Sequence, residues 1–207
     1  MTETQSTYEK QILAAIGSVV SAFQSNPHDF LYESDIQGVL LAEIRHRTTG
    51  TSIKVDRKNG SGGPYNLGVA YSEYHHRIDI ACLNVQDAAS HGTEPYMGYD
   101  TFIYDLPVLI GIEIKYRKMG DVFTIRDCFA DMGKLTGLNV PKPIALGFVQ
   151  SSGADAEHFF SARPDSDWST RRLVRQVGGF DSVYGITPNE IWEYERMDSS
   201  AKQPVTA

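Results

Sequence analysis

The sequence predicts an α/β domain in which a mixed central β-sheet is flanked by helices. Two stretches near the start, 8–23 and 32–46, carry apolar residues at helical spacing. Several shorter stretches either alternate or run continuously apolar, as β-strands do. A third helical pattern over 122–138 separates two of these strand patterns. This alternation is typical of helices that cover a sheet.

The strand patterns follow the first two helices along the chain. Pro27 ends the first helix, because proline cannot continue a helix interior. The stretch 108–116, VLIGIEIKY, is the most strand-like, and its apolar first half indicates a central strand covered on both faces. A glycine-rich loop over 59–66 and a long polar connection over 84–106 interrupt the series. The other predicted strands are 51–57, 67–74, 77–83 and 144–149.

The last third of the chain is predicted to be mainly helical. Short helices are expected over 154–162 and 168–177, and TPNE at 187–190 has the composition of a helix start. Residues 198–207 are expected to form a disordered tail, because they are polar and terminal. A chain of 207 residues without a dividing linker then gives one domain over 1–197.

Composition narrows the class of protein. Hydrophobic residues make up 41% and charged residues 22%, as in soluble globular proteins. No apolar run reaches the roughly 18 residues that span a bilayer, so no membrane contact is expected. The N-terminus lacks a secretory signal pattern, and Cys82 and Cys128 fit free buried thiols, so a cytoplasmic location is expected. The net charge of −7 argues against strong non-specific DNA affinity but allows acidic metal ligands.

A charged pair lies inside the most apolar strand pattern. Residues two apart in a strand share a face, so Glu113 and Lys115 are neighbours while Ile112 and Ile114 face the core. Burying such charge is unfavourable without compensation, which a divalent cation can supply. Magnesium prefers carboxylate oxygens, and a nearby lysine can orient or deprotonate a metal-bound water. If the preceding strand pairs with this one, Asp79 can share the same cation.

The pattern Asp79…Glu113-x-Lys115, followed by a helix and a buried strand, resembles the PD-(D/E)XK superfamily of restriction-endonuclease-like nucleases. The resemblance covers about residues 30–150 and implies a core in the order αβββαβ. It implies that Asp79, Glu113 and the backbone carbonyl of Ile114 bind Mg²⁺ or Mn²⁺. It also implies that Lys115 assists the attacking water, which makes the protein a metal-dependent phosphodiesterase.

The family also carries an acid on the helix before the sheet. Both Glu33 and Glu43 lie near the apolar face of the 32–46 helix pattern, whereas Asp35 points away. Glu33 is preferred as the further catalytic residue, because the family's acid usually lies near the start of this helix. Glu43 stays an open alternative. Ile78 departs from the name motif, since it stands where the motif has proline.

The resemblance implies a nucleic-acid partner, with DNA preferred over RNA. A homodimer is allowed, since cutting two strands requires two active sites. Four basic residues are candidates for phosphate contacts: Arg117, Lys118, Arg171 and Arg172. Asp127, Asp131 and Lys134 recur on the polar side of the third long helix, which favours a solvated face over a role in the site.

Two other functions stay open on the sequence alone. One is a module that kept the fold, lost the activity and binds nucleic acid or protein. The other is a subunit of a defence or repair complex. The intact Asp-Glu-Lys set favours an enzyme, whereas the negative net charge favours a binding module.

Overall fold

The computed structural model describes residues 3–55, 65–74, 78–90, 106–161, 168–173 and 176–196. The helices are α1 (Glu3–Ser25), α2 (Glu33–Arg47), α3 (Val85–Ser90), α4 (Ile125–Gly137) and α5 (Ala154–Phe160), with a 3₁₀ turn at Pro27–Asp29. The strands are β1 (Ile53–Val55), β2 (Tyr65–Leu67), β3 (Ala70–Tyr74), β4 (Ile78–Leu83), β5 (Val108–Arg117), β6 (Lys142–Val149), β7 (Trp168–Leu173), β8 (Ser182–Ile186) and β9 (Ile191–Arg196).

Seven of these strands form one mixed sheet in the order β3-β4-β5-β6-β8-β9-β7. The strands β3, β4 and β5 pair antiparallel, β5, β6 and β8 pair parallel, and β8, β9 and β7 pair antiparallel. The strands β1 and β2 form a separate antiparallel pair. The predicted mixed sheet with flanking helices is therefore confirmed.

Helices cover the sheet on both faces. Ile112 and Ile114 of β5 are fully buried in the cluster that contains the apolar residues of α1 and α2. Cys128 of α4 and Phe159 of α5 belong to a second buried cluster on the other face, with Val183 of β8. The central strand β5 is thus covered on both faces, as its continuous apolar run predicted.

Gly147 of β6 lets α4 and α5 approach the sheet closely. A Cβ atom at this position would lie 2.7 Å from Phe159 Cζ and 2.8 Å from Cys128 Sγ. We expect Gly147→Ala to lower the free energy of unfolding by about 1–3 kcal/mol, because buried neighbours must shift. Gly133→Ala in α4 is the control. Nothing lies within 4 Å of its Cβ position, so a gain of about 0.5–1 kcal/mol is expected from helix propensity. Urea unfolding of both variants measures the difference, and equal stabilities would contradict the packing role.

The predictions for the last third were partly wrong. The helix expected over 154–162 is present as α5, but the helix expected over 168–177 is wrong, since 168–173 forms β7. The predicted helix start at 187–190 is also wrong. The Thr187 hydroxyl does accept from Glu190 N at 3.0 Å, but Thr187 N also donates to Glu190 O at 2.9 Å. These contacts close the turn between β8 and β9, because the same cap chemistry suits a tight turn.

Several other predicted segments lie partly or wholly outside the residues that the structure describes. The connection 84–106 contains α3, while its residues 91–105 lie outside the described residues. The tail 198–207 and most of the glycine-rich stretch 59–66 also lie outside them. Both cysteines are free and buried, as expected. Among the described helices, none combines the length and apolar character that crossing a bilayer requires.

Candidate active site

The predicted acids meet where β5 extends beyond its neighbour β4. Ile80 pairs with Ile112, so the antiparallel register carries Asp79 to the position across from Glu113. Asp79 Oδ2 accepts a hydrogen bond from Ile114 N at 2.7 Å. Since the N–H and C=O of one strand residue point to the same edge, the Ile114 carbonyl also faces the Asp79 side. The Asp79 carboxylate therefore caps the free edge of β5.

Glu33 caps the next free amide along the same edge. Its Oε2 atom accepts from Tyr116 N at 3.3 Å, which brings the first turn of α2 to the end of β5. Glu43 is held elsewhere, because its Oε1 atom lies 2.8 Å from Arg47 Nε within the same helix. Of the two acids that the sequence left open, the structure brings Glu33 to the site.

Glu113 and Lys115 share a face of β5, as their spacing predicts, and the structure places α4 over this face. Glu113 is 2% exposed, and its Oε1 atom accepts from Lys134 Nζ at 2.8 Å. Lys115 Nζ forms an ion pair with Asp131 Oδ2 at 3.0 Å. Each member of the Glu-x-Lys pair is therefore matched by an opposite charge from the same helix.

The role expected for the polar side of α4 was wrong for two of its three residues. Asp131 and Lys134 enter the site instead of forming a solvated ion pair with each other. Asp127 caps the helix, since its Oδ2 atom accepts from Thr124 N at 2.7 Å. Helical spacing could have indicated a shared face for Asp131 and Lys134, but it could not show that this face covers the charged side of β5.

A further pair of residues anchors the start of β4. Gln37 Nε2 of α2 donates to the backbone oxygen of Asp79 at 2.8 Å and to Glu73 Oε1 at 3.1 Å. Glu73 has a positive φ of 50° and interrupts the pairing of β3 with β4. Gln37 and Glu73 were not predicted from the sequence, because neither stands in a motif. Together they fix the backbone that carries Asp79.

Burial disfavours the charged forms of the three acids. Burial raises the pKa of Glu113 to about 7, although the Lys134 ammonium opposes this rise. Burial is also the main cause of the raised pKa of Asp79, which the hydrogen bond from Ile114 opposes. The pKa of Glu33 is raised by burial and by the Asp79 carboxylate, against the effect of Lys115. A nearby cation would lower the pKa of all three acids and so favour their charged forms.

Lys115 is held in its charged form. Burial alone would lower its pKa, but the ion pair with Asp131 and the charges of Glu33 and Asp79 raise it above the ordinary value. At neutral pH the side chain is therefore an ammonium that donates hydrogen bonds and has no free lone pair. Of the two roles expected for this lysine, orienting a water fits this state better than deprotonating one.

The oxygen atoms available at this site suit Mg²⁺, which needs only a few ligands from the protein. Within the described ranges, no three histidine, cysteine, aspartate or glutamate side chains converge as a metal-binding group. Mg²⁺ does not require such a group, because it keeps several waters and binds through one or two carboxylates. Asp79 and Glu113, on facing positions of β4 and β5, would supply these, and the Ile114 carbonyl lies on the same edge.

Of the four predicted phosphate contacts, one is buried in the structure, and the side chains of two others are not among those that the structure describes. Arg117 is 3% exposed and donates to Asp155 Oδ1 from Nε and Nη2, at 3.1 and 3.0 Å, and to the Phe123 carbonyl. It ties β5 to α5 and is not available to a ligand, which corrects the sequence-based expectation. Arg171 and Arg172 lie on β7, and their side chains are outside the description.

Lys118 belongs to a partly apolar surface beside the site, which we call the rim patch. Its members are Leu31, Tyr32, Lys118, Met119 and Val122. The four apolar members are exposed by 57%, 61%, 84% and 87% in that order along the chain. Lys118 Nζ lies 4.5 Å from the centre of the Tyr32 ring, which joins the two segments of the patch. Tyr32 directly precedes Glu33, so the patch borders the acids.

Comparison with known proteins gave no relative. No family model, no curated protein and no solved structure matches this chain. The functional conclusion therefore depends on the fold and the site geometry alone.

Proposed function

We propose that this protein is a metal-dependent nuclease that hydrolyses phosphodiester bonds, with DNA preferred over RNA. One observation carries the proposal: the carboxylates of Asp79 and Glu33 cap the open edge of β5 beside the buried Glu113, with the Lys115 ammonium on the same strand. A buried carboxylate flanked by further acids and by cationic side chains is suited to phosphate chemistry assisted by a divalent cation.

The chain's residues have separate roles in the proposed reaction. A bound Mg²⁺ or Mn²⁺ would lower the pKa of its water and stabilise charge on the phosphate. Asp79 and Glu113 would hold the ion, with the Ile114 carbonyl as a further oxygen ligand. Lys115 donates a hydrogen bond that orients the attacking water and neutralises charge on the phosphate. Glu33, next to the strand end, accepts a proton from that water directly or through a second water.

The order of elements supports the restriction-endonuclease-like assignment. The segments α2, β3, β4, β5, α4 and β6 follow the αβββαβ order implied by the sequence resemblance. Asp79 stands on the second of these strands, and Glu113 and Lys115 stand on the third. The short helix α3 stands between β4 and β5, and the pair β1–β2, the helices α1 and α5 and the strands β7 to β9 are further additions to this arrangement.

The rim patch supports contact with unpaired nucleotides. Bases stack on exposed aromatic and apolar side chains, and the Lys118 ammonium can contact phosphates. The patch borders the acids, so a strand bound there leads towards Asp79 and Glu113. Its few side chains are too small a surface for the roughly 800 Å² per partner of a stable protein interface. The homodimer that the resemblance allows would therefore require another surface.

A pair of neighbouring substitutions tests whether Lys118, but not Arg117, contacts the substrate. We expect Arg117→Met to lower the free energy of unfolding by about 3 kcal/mol, because it leaves Asp155 partly buried without its cation. Lys118→Met should change stability by less than about 0.5 kcal/mol and weaken oligonucleotide binding severalfold. Urea unfolding and fluorescence anisotropy measure the two quantities. Unchanged affinity in Lys118→Met would remove this residue from the nucleic-acid surface.

The nuclease proposal itself is tested by incubating the full chain with labelled single-stranded and double-stranded DNA and RNA. Cleavage is expected with Mg²⁺ or Mn²⁺ and not with excess chelator. Cleavage that persists in chelator would contradict the metal mechanism. Binding without cleavage of any substrate would favour the alternative of an inactive nucleic-acid-binding module, alone or as a subunit of a larger complex. The ion pair between Glu113 and Lys134 favours that alternative, because it neutralises the central acid within the chain.

A further inference from the structure

The ammonium of Lys134 forms an ion pair with Glu113, one of the two carboxylates that the proposed metal ion would bind. Lys134 Nζ lies 2.8 Å from Glu113 Oε1. The Glu113 side chain is 2% exposed, so its negative charge depends on nearby positive charge and not on water. A divalent cation on Glu113 would meet this ammonium at close range, and the two positive charges would repel each other. The two cations therefore compete for the one buried carboxylate, whose Oε1 atom already holds Lys134.

Of the two residues in this ion pair, Lys134 is the one whose side chain can move away from the other. Its side chain is 34% exposed and extends from α4 on a flexible four-carbon stem. Glu113 is fixed, because it lies within β5, which pairs with β6 at this residue and with β4 as far as the preceding Ile112. The lysine can therefore move towards solvent by side-chain rotation, whereas the glutamate cannot. The released ammonium stays at the mouth of the site, where it can bind phosphate oxygens.

We propose that Lys134 and a divalent cation exchange on Glu113, so that metal entry releases Lys134 to contact the substrate phosphate. The proposal rests on the nuclease function, since it requires a metal on Glu113. It adds a regulatory step to that function, because the lysine becomes available to the substrate only when the metal is present. In the metal-free protein the same lysine stabilises the buried Glu113.

Lys115 provides a matched control within the same site. Its ammonium pairs with Asp131 and not with Glu113, at 3.0 Å and with 29% exposure of the lysine side chain. Removing either lysine therefore deletes one positive charge of similar exposure from the site. Only the removal of Lys134 frees the Oε1 atom of Glu113.

The exchange is tested by calorimetric titration of the full chain with Mg²⁺ at pH 8.5, for wild type, Lys134→Met, Lys115→Met and Asp79→Asn. We expect Lys134→Met to bind Mg²⁺ at least about tenfold more tightly than wild type, and Lys115→Met, which keeps the ion pair of Lys134 with Glu113, to gain less. If Lys134 had only a structural role, Lys134→Met would bind Mg²⁺ more weakly than wild type, because the site would be less well ordered. If Lys134→Met does not fold, Lys134→Gln is measured in its place.

A second readout follows the lysine directly. In spectra of the side-chain ammonium groups, the Lys134 resonance should shift as Mg²⁺ saturates the wild-type protein, and the Lys115 resonance should shift less. Tight Mg²⁺ binding by wild type that is lost in Asp79→Asn, with no gain in Lys134→Met, would overturn the exchange while the nuclease proposal stands. Absence of Mg²⁺ binding in wild type and Asp79→Asn alike would overturn both.

Discussion

Asp79→Asn is expected to lower the rate of nucleic-acid cleavage by about 10²–10³-fold, because the ion that would stabilise charge on the phosphate loses one of its two carboxylate ligands. The substitution is nearly isosteric. The asparagine side-chain oxygen can still accept from Ile114 N, so the edge of β5 stays capped while the negative charge is lost. Single-turnover cleavage of a labelled oligonucleotide measures the rate. Circular dichroism and urea unfolding check that the fold is retained.

The two glutamates of α2 provide the control for this experiment. Glu33→Gln should lower the cleavage rate by about 10²–10⁴-fold, the usual contribution of a general base, because the amide cannot accept the proton of the attacking water. Glu43→Gln should change the rate less than about twofold, because the Glu43 carboxylate pairs with Arg47 away from the strand end. Equal losses in the two variants would contradict the assignment of Glu33, and an unchanged rate in Asp79→Asn would contradict the metal site.

The metal-free protein should lose stability as the pH rises from about 4.5 to about 7. Burial raises the pKa of Glu113 from 4.5 to about 7 in the folded state. Between these values the unfolded chain has released the proton that the folded chain still holds, so rising pH favours unfolding. The stabilisation is complete below pH 4.5 and is lost as the pH passes 7. At 1.36 kcal/mol per pKa unit, the total change is on the order of 3 kcal/mol.

Urea unfolding at a series of pH values in the presence of chelator measures this dependence. Glu113→Gln should flatten the curve over the same window, because the amide does not titrate. Saturating Mg²⁺ should reverse the slope for wild type, since the ion binds the charged carboxylate. A wild-type curve without a fall between these pH values would show that Lys134 keeps Glu113 ionised throughout.

The central part of the fold was predictable because its patterns are local. The alternation in 77–83 and the apolar run in 108–116 indicated β4 and β5, and period two placed Glu113 and Lys115 on one face. The strands β8 and β9 were missed, because the turn between them uses the same threonine-centred hydrogen bonds as a helix start. Local chemistry alone does not distinguish these outcomes.

Side-chain partners were less predictable than strand positions. Arg117 follows the Glu-x-Lys pair and resembles a surface cation in the sequence, yet α5 supplies Asp155 and the side chain is buried. The choice between Glu33 and Glu43 could not be made from the helical wheel. An angle around the helix does not tell how far along the sheet a residue lies.

The sequence by itself determined the candidate chemistry of this protein: an aspartate on one strand and a glutamate and a lysine on the same face of the next. Periodicity fixes which side chains share a face, and it does so within a few residues of chain. Only the tertiary structure decided that α4 matches Glu113 with Lys134 and Lys115 with Asp131, and that Glu33 reaches the end of β5. These contacts join segments far apart in the sequence, so they depend on how the helices pack across the sheet.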